Sequence, residues 1–154
     1  LDDLAAARSL EDLHFGNAVW PKMDIESLQP LADAQSIRSL KFEPRKIVDN
    51  RVAPIVQLAK LEQLAFPPRM FSTEKIAWLK ARLSDDVNAD VLSAVRMLKH
   101  PIPRDDKKLD ALVIGKRKPV LDSVQDATRL QKYLDTFEAL SQKFLSDPTV
   151  PEPE

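Results

Sequence analysis

Two histidines, His14 and His100, are the side chains of this 154-residue sequence best suited to acid–base chemistry near neutral pH. His14 stands between Leu13 and Phe15 in an alternating segment, so it faces away from the apolar side. A catalytic histidine needs an orienting carboxylate and a nucleophile, and Asp12 is the obvious neighbour on that side. We therefore interpret His14 as a surface contact residue, and we predict no catalytic residue and no enzyme activity.

The sequence lacks the residues that usually bind metals and cofactors. There is no cysteine, and two isolated histidines without a carboxylate cluster do not predict a metal site. The sequence has only two glycines and contains no glycine-rich phosphate loop, no Gly-x-Ser-x-Gly and no aspartate-rich calcium loop. We predict no metal, no cofactor and no small-molecule substrate.

A basic segment, residues 96–118, holds eight Lys and Arg against three Asp, a net charge of +5 in a chain whose total is −1. A solvated surface is the favoured interpretation and an acidic protein partner the second. Nucleic acid is the least favoured, since no aromatic side chain lies between Trp78 and Tyr133 to stack on bases. The segment contributes three secondary candidate binding residues: Lys116, Arg117 and Lys118.

Arg45 and Arg69 each follow a proline, 24 residues apart. Their guanidinium groups have the geometry to bind phosphates or carboxylates, but a structural role, bonding loop carbonyls, is favoured. Trp20 lies in a longer loop of the kind that tends to carry binding residues. All three are secondary candidates for partner contact.

These candidates belong to a repeated unit. Residues 28–47 match residues 52–71 at an offset of 24 with five identities, where chance supplies about one. The identical pairs are Pro30 and Pro54, Leu40 and Leu64, Phe42 and Phe66, Pro44 and Pro68, and Arg45 and Arg69.

The repeated unit predicts a short helix followed by a strand. Residues 38–42 and 62–66 alternate Leu and Phe with polar or small residues, which is typical of half-buried strands. The preceding residues 28–35 and 52–60 have helical spacing, with a proline tolerated in the first turn. One such unit cannot bury its apolar face alone, so we expect the units to stack.

With its Leu-x-x-Leu-x-Phe pattern, the chain resembles the leucine-rich repeat family, in a bacterial type with irregular repeats of about 24 residues. The expected family Asn or Cys of the turn is replaced by Ala18, Arg45 and Arg69. The expected fold is an α/β leucine-rich repeat solenoid with a curved parallel sheet, convex-side helices and a C-terminal capping helix. Its strands are predicted near 11–15, 38–42, 62–66 and 110–114.

The remaining elements complete a single predicted domain. Residues 1–88 are assigned to the repeats, and 89–146 to a degenerate repeat with the capping helix. We predict helices over 72–83, 89–98 and 121–145, and a proline-containing loop over 99–108. Residues 147–154 are expected to be a disordered tail.

The resemblance implies a protein-interaction module that binds another protein through the solenoid surface. The candidate contact residues on the concave face are Asp12, His14, Ser39, Lys41 and Gln63. One alternative is a regulatory or targeting segment of an enzyme whose catalytic domain lies outside this chain. The other is an anionic (nucleic acid or lipid) binder acting through 96–118.

The location of the protein is predicted from two absences. No apolar run approaches the roughly 18 residues that a membrane span requires. The chain begins at Leu1 without a signal-like segment, so we expect a cytoplasmic protein and a piece of something longer.

Overall fold

The computed structural model describes residue 1, residues 8–16 and residues 21–154. The chain divides into two compact units. The first comprises Leu1–Pro67, Arg82–Ala89 and Glu154, and the second comprises Pro68–Ala81 and Asp90–Pro153.

Short strands and two short helices make up the first unit. In chain order they are β1 (Asp12–Phe15), β2 (Asp24–Ile25), a 3-10 helix (Gln29–Asp33), β3 (Ser39–Phe42), β4 (Lys46–Ile47), α1 (Ala53–Val56) and β5 (Gln63–Ala65). β1, β3 and β5 form a parallel sheet, and β2 pairs with β4 in a parallel two-stranded sheet.

The parallel pairing of β1, β3 and β5 follows the predicted strand positions. Leu13, Leu40 and Leu64 are in register, and so are Phe15 and Phe42. Because alternate residues face opposite sides of a strand, these leucines and phenylalanines share the apolar side. The rings of Phe15 and Phe42 stack at 5.6 Å between centroids, and those of Phe42 and Phe66 at 5.4 Å.

Prolines begin both helices of this unit, as predicted. Pro30 and Pro54 each occupy the first turn, where the missing N–H has no helical partner to lose. Both helices are shorter than the expected 28–35 and 52–60. Their buried residues, Leu31 and Ile55, contribute to the core of the unit.

Gly16 follows β1 at a position that admits no side chain. Its φ is +88°, and a Cβ there would lie 2.5 Å from the backbone carbonyl carbon of Glu43. Glycine is required because the chain leaving β1 passes directly against the chain leaving β3.

The second unit contains α2 (Thr73–Arg82), β6 (Val95–Arg104), β7 (Lys107–Val113), β8 (Val120–Leu121) and α3 (Ala127–Ser146). The last residue of α2, Arg82, is assigned to the first unit. β6, β7 and β8 form an antiparallel sheet in that order. Its core consists of Ala111, Val113 and Leu121, against which Val95, Leu130 and Tyr133 pack.

The predicted fold class, a leucine-rich repeat solenoid with one curved parallel sheet and a capping helix, is wrong. The described residues form three separate sheets of two or three strands, partly parallel and partly antiparallel. The strand expected near 110–114 in the parallel sheet is β7, whose neighbours are β6 and β8. The leucine spacing of 109–114 resembles a repeat strand, but strand spacing alone does not specify the pairing partner.

Residues 89–108 differ most from the sequence prediction, which was a helix over 89–98 and a loop over 99–108. The structure instead has the strand β6 from Val95 to Arg104. Short apolar runs are ambiguous between helix and strand. Pro101 and Pro103 are compatible with β6 because it is an edge strand of its sheet.

Two further elements differ from expectation near the C-terminal end. The helix predicted over 121–145 is present as α3, but it begins only at Ala127 because Val120–Leu121 pairs with β7. Residues 147–154 were expected to be a disordered tail, but Val150, Glu152 and Pro153 accept hydrogen bonds from side chains of α2.

Candidate functional site

The outward side of the β1–β3–β5 sheet carries the five residues predicted as the partner-binding set. We call this set the strand face: Asp12, His14, Ser39, Lys41 and Gln63. The register aligns Asp12, Ser39 and Gln63 in one row across the strands, and His14 with Lys41 in the next. Neighbouring strands lie about 4.8 Å apart, so the side chains of each row are close neighbours. The structure therefore places all five residues on one side of the sheet, where Ser39 is half-buried and the other four are exposed.

Glu43 joins the strand face and was missed at the level of sequence. Its carboxylate lies 3.2 Å from Lys41 Nζ and 4.0 Å from His14 Nε2. Asp12 was the neighbour expected for His14. The alternation of side chains could have predicted Glu43, since residues 41 and 43 lie on the same side of an extended chain.

Activation of a side-chain nucleophile by His14 would require a hydroxyl or thiol within hydrogen-bond reach. In the part of the chain that the structure describes, His14 has no hydrogen bond to such a group, and its neighbour in register is Lys41. Lys41 and His14, both near the Glu43 carboxylate, make this part of the strand face polar.

The edge of the sheet beyond β5 adds a second unpredicted residue. Asn88 forms a parallel bridge with Gln63, and its backbone accepts a hydrogen bond from Leu64 at 3.0 Å and donates one to Glu62 at 2.8 Å. The exposed Asn88 extends the row that contains Gln63 by one position. Arg38 and Glu62, which directly precede β3 and β5, form an ion pair with each other.

Arg45 pairs with Asp24 within the first unit. Its guanidinium donates two hydrogen bonds to the Asp24 carboxylate, at 2.6 and 2.5 Å. This hydrogen bonding, assisted by the charge of Arg45, holds the pKa of Asp24 below its ordinary value. The pair joins the ends of β2 and β4, where Asp24 is in register with Lys46.

The other secondary candidates lie in the second unit. Gly115 N donates to Pro68 O and Lys116 N donates to Phe71 O, both at 2.8 Å. These bonds bring the loop that carries Arg69 beside the turn at 115–118. Lys118 Nζ lies 5.4 Å above the centre of the Tyr133 ring. The residues concerned are Arg69, Lys116, Arg117 and Lys118, whereas Trp20 lies outside the described residues.

The hairpin of β6 and β7 carries the rest of the basic segment. Its exposed basic side chains are Arg96, Lys99, Arg104 and Lys108. Lys107 is instead paired with Asp126 at 2.7 Å, and this hydrogen bond raises the pKa of Lys107. Residues 96–118 thus form two basic clusters, one on the hairpin and one at the 115–118 turn.

A cavity of about 590 Å³ lies in the first unit, away from the strand-face residues. Its lining includes the carboxylates of Asp24, Glu26 and Asp33. Within the described ranges, no three His, Asp or Glu side chains are grouped so as to hold a metal ion.

Among the helices that the structure describes, none combines the length and the hydropathy that a bilayer crossing requires. Comparisons of the chain with protein-family models, with curated proteins and with solved structures gave no match.

Proposed function

We propose that the protein is an interaction module that binds another protein through the strand face. The observation that carries this proposal is the register of β1, β3 and β5, which places Asp12, Ser39 and Gln63 in one row and His14 and Lys41 in the next. The resemblance of the repeated unit to leucine-rich repeats, a family that mainly binds proteins, supports the proposal by analogy. A cytoplasmic location, expected from the sequence, is part of the same proposal.

The shape and polarity of the strand face favour a protein partner over a small molecule. A small-molecule site encloses most of its ligand, and a single layer of short strands presents a shallow surface. The side chains of the face include a carboxylate, a hydroxyl, an amide and an ammonium group. A polar protein surface with charges of both signs matches this set best.

Charge governs how such a face binds. Lys41 and His14 flank Glu43, so a partner carboxylate can pair with Lys41 and accept a hydrogen bond from His14, while a partner base pairs with Glu43 or Asp12. Exposed charges contribute mainly to association rate and specificity, and their effect decreases with salt. We therefore expect the complex to weaken as ionic strength rises.

Reversing the charge of the strand face tests the proposal. The double variant His14→Glu, Lys41→Glu is expected to fold, because both side chains are about half exposed. It is expected to bind the partner at least about tenfold more weakly, since each new carboxylate lies beside Glu43. The measurement is recovery of partners from extracts of the source organism on immobilised protein, followed by titration with the purified partner.

A matched control is Gln57→Glu, Lys60→Glu. It makes a comparable charge change at exposed residues of the same unit that lie outside the sheet. The control should bind like wild type. Equal partner recovery by all three proteins would exclude the strand face as the binding surface.

The β6–β7 hairpin favours a second candidate function, binding to phosphate groups of nucleic acid or of an acidic lipid surface. The specific observation is that the hairpin carries four exposed basic side chains against two exposed acids in its turn, Asp105 and Asp106; the basic residues are Arg96, Lys99, Arg104 and Lys108. A two-stranded ribbon also has the width to enter the major groove of DNA.

Titration of duplex DNA, RNA and acidic vesicles at two salt concentrations tests the second candidate. If it holds, Lys99→Gln, Arg104→Gln lowers affinity and reduces the salt slope by about two, because two phosphate contacts are lost. Lys132→Gln, Lys143→Gln removes two exposed charges from α3 and should leave both quantities unchanged. Absence of salt-dependent binding to all three probes would reject the candidate.

A further inference from the structure

The segment after α3 lies along one face of α2. Trp78 Nε1 donates a hydrogen bond to Val150 O at 3.1 Å. Lys75 Nζ donates to Pro153 O at 2.6 Å and lies 3.1 Å from Glu152 Oε1. Two side chains of one helix thus contact three of the four residues 150–153.

Both charges of this contact are buried. The Lys75 side chain is 1% exposed and the Glu152 side chain 5% exposed. A buried ammonium group is strongly unfavourable unless it is paired and hydrogen-bonded. The carboxylate of Glu152 and the carbonyl of Pro153 supply two acceptors to the three hydrogens of Lys75 Nζ. The face of α2 therefore requires an anionic group beside a backbone carbonyl.

The sequence Val150-Pro151-Glu152-Pro153 suits recognition in an extended form. Each proline restricts its own φ and biases the preceding residue toward the polyproline II region. Carbonyls three residues apart lie on the same side of such a chain, as those of Val150 and Pro153 do here. Lys75 and Trp78 are also three residues apart and share one face of α2.

A local turn joins this segment to α3. Asp147 Oδ1 accepts hydrogen bonds from Thr149 N at 3.0 Å and from Thr149 Oγ1 at 2.6 Å. Asp147 is the C-terminal cap residue of α3. These two bonds lie between residues 147 and 149, so they do not depend on the contact of residues 150–153 with α2.

We infer that the face of α2 formed by Lys75 and Trp78 is a recognition site for extended segments in which a glutamate stands between two prolines. Residues 150–153 occupy it in this structure, and a partner segment with the same chemistry takes their place when they leave. This site shares no residue with the strand face, so the inference is independent of the proposed function.

Because residues 150–153 of the same chain occupy the site, a test must first remove them from it. A segment tethered by a few residues is present at an effective concentration of about millimolar. A free peptide therefore competes poorly with residues 150–153 of the wild-type chain. The substitution Glu152→Lys places a second cation against Lys75 and is expected to release the segment while leaving the α2 face unchanged.

The experiment adds increasing amounts of the 154-residue protein to a fluorescein-labelled octapeptide with the sequence of residues 147–154 and follows fluorescence anisotropy. The Glu152→Lys variant is expected to bind the peptide at least about tenfold more tightly than wild type does, because its site is vacant. Adding Lys75→Met to this variant removes the ammonium group and should abolish binding. A peptide carrying Glu152→Gln should bind about tenfold more weakly, since it loses the charge of the hydrogen-bonded pair.

Circular dichroism establishes that each variant is folded. If Glu152→Lys does not fold, Glu152→Gln replaces it in the 154-residue chain, since it keeps the side-chain shape and removes the charge. If the folded Glu152 variant fails to bind the peptide, the inference is overturned, because the contact then only stabilises the fold. Equal affinity for the unchanged peptide and for the peptide carrying Glu152→Gln overturns it as well, because the site then does not recognise the carboxylate.

Discussion

Replacing Phe42 by alanine is expected to lower the free energy of unfolding of the first unit by about 3–5 kcal/mol. Phe42 is fully buried, and its ring stacks between those of Phe15 and Phe66 at 5.6 and 5.4 Å. Truncation removes the middle ring of this stack and leaves a cavity between two strands that hydrogen-bond to β3. Loss of this magnitude approaches the whole stability of a small unit.

Chemical denaturation followed by circular dichroism measures the effect of Phe42→Ala. Met23→Ala is the control, because Met23 belongs to the same unit and is 63% exposed. Surface substitutions of that kind change stability by about 0.5 kcal/mol or less. If the two variants lose equal stability, the phenylalanine stack is not the core of this unit.

The Asp122→Ala variant is expected to destabilise the second unit severely. The buried carboxylate of Asp122 accepts three backbone hydrogen bonds, from Lys108 at 2.8 Å and from Val124 and Gln125 at 2.9 Å. These bonds join the beginning of β7 to the turn between β8 and α3. A buried backbone N–H left without an acceptor costs about 1–3 kcal/mol in general, and three donors lose their acceptor at once.

Thermal unfolding measures this loss, with Asp135→Ala as control. Asp135 is an exposed residue of α3 whose carboxylate accepts one hydrogen bond from Gln131. The control should unfold within a few degrees of wild type. A comparable melting temperature for Asp122→Ala would show that the turn does not depend on this carboxylate.

The same carboxylates predict a pH dependence of stability. Backbone hydrogen bonds, that of Gln125 first, lower the pKa of Asp122, and the hydrogen bond from Lys107 lowers that of Asp126. An acid whose pKa is lower in the folded state stabilises the fold above its ordinary pKa of about 3.9, and this contribution is lost as pH falls through the folded value. Wild type should therefore lose more stability between pH 7 and pH 3 than Asp122→Ala does, and equal losses would contradict the assignment.

Local pattern was sufficient to predict the parallel sheet of the first unit. The Leu and Phe alternation in residues 38–42 and 62–66, repeated at an offset of 24, places equivalent residues in register because each strand buries the same side. The structure shows this register in the pairing of Leu40 with Leu64. The fold class was wrong because the same leucine spacing at 109–114 belongs to a strand with antiparallel neighbours.

Long-range contacts explain what the sequence did not reveal. Val95–Arg104 forms a strand because it pairs with β7, and no local feature of its mixed apolar and prolyl sequence requires that. Likewise, the contact of Glu152 with Lys75 joins residues 77 positions apart. Within the candidate site the strand-face residues followed from alternation, whereas Glu43 was overlooked because it stands one residue beyond its strand.

Site-specific crosslinking from the strand face tests the central proposal most directly. A photoreactive amino acid at position 63 replaces Gln63, which is exposed in the row that also contains Asp12 and Ser39. Position 57, exposed in the same unit and outside the sheet, serves as the control. We predict a defined crosslinked protein from position 63 and none from position 57. Equal products from positions 63 and 57, or no product from position 63, would contradict binding through the strand face.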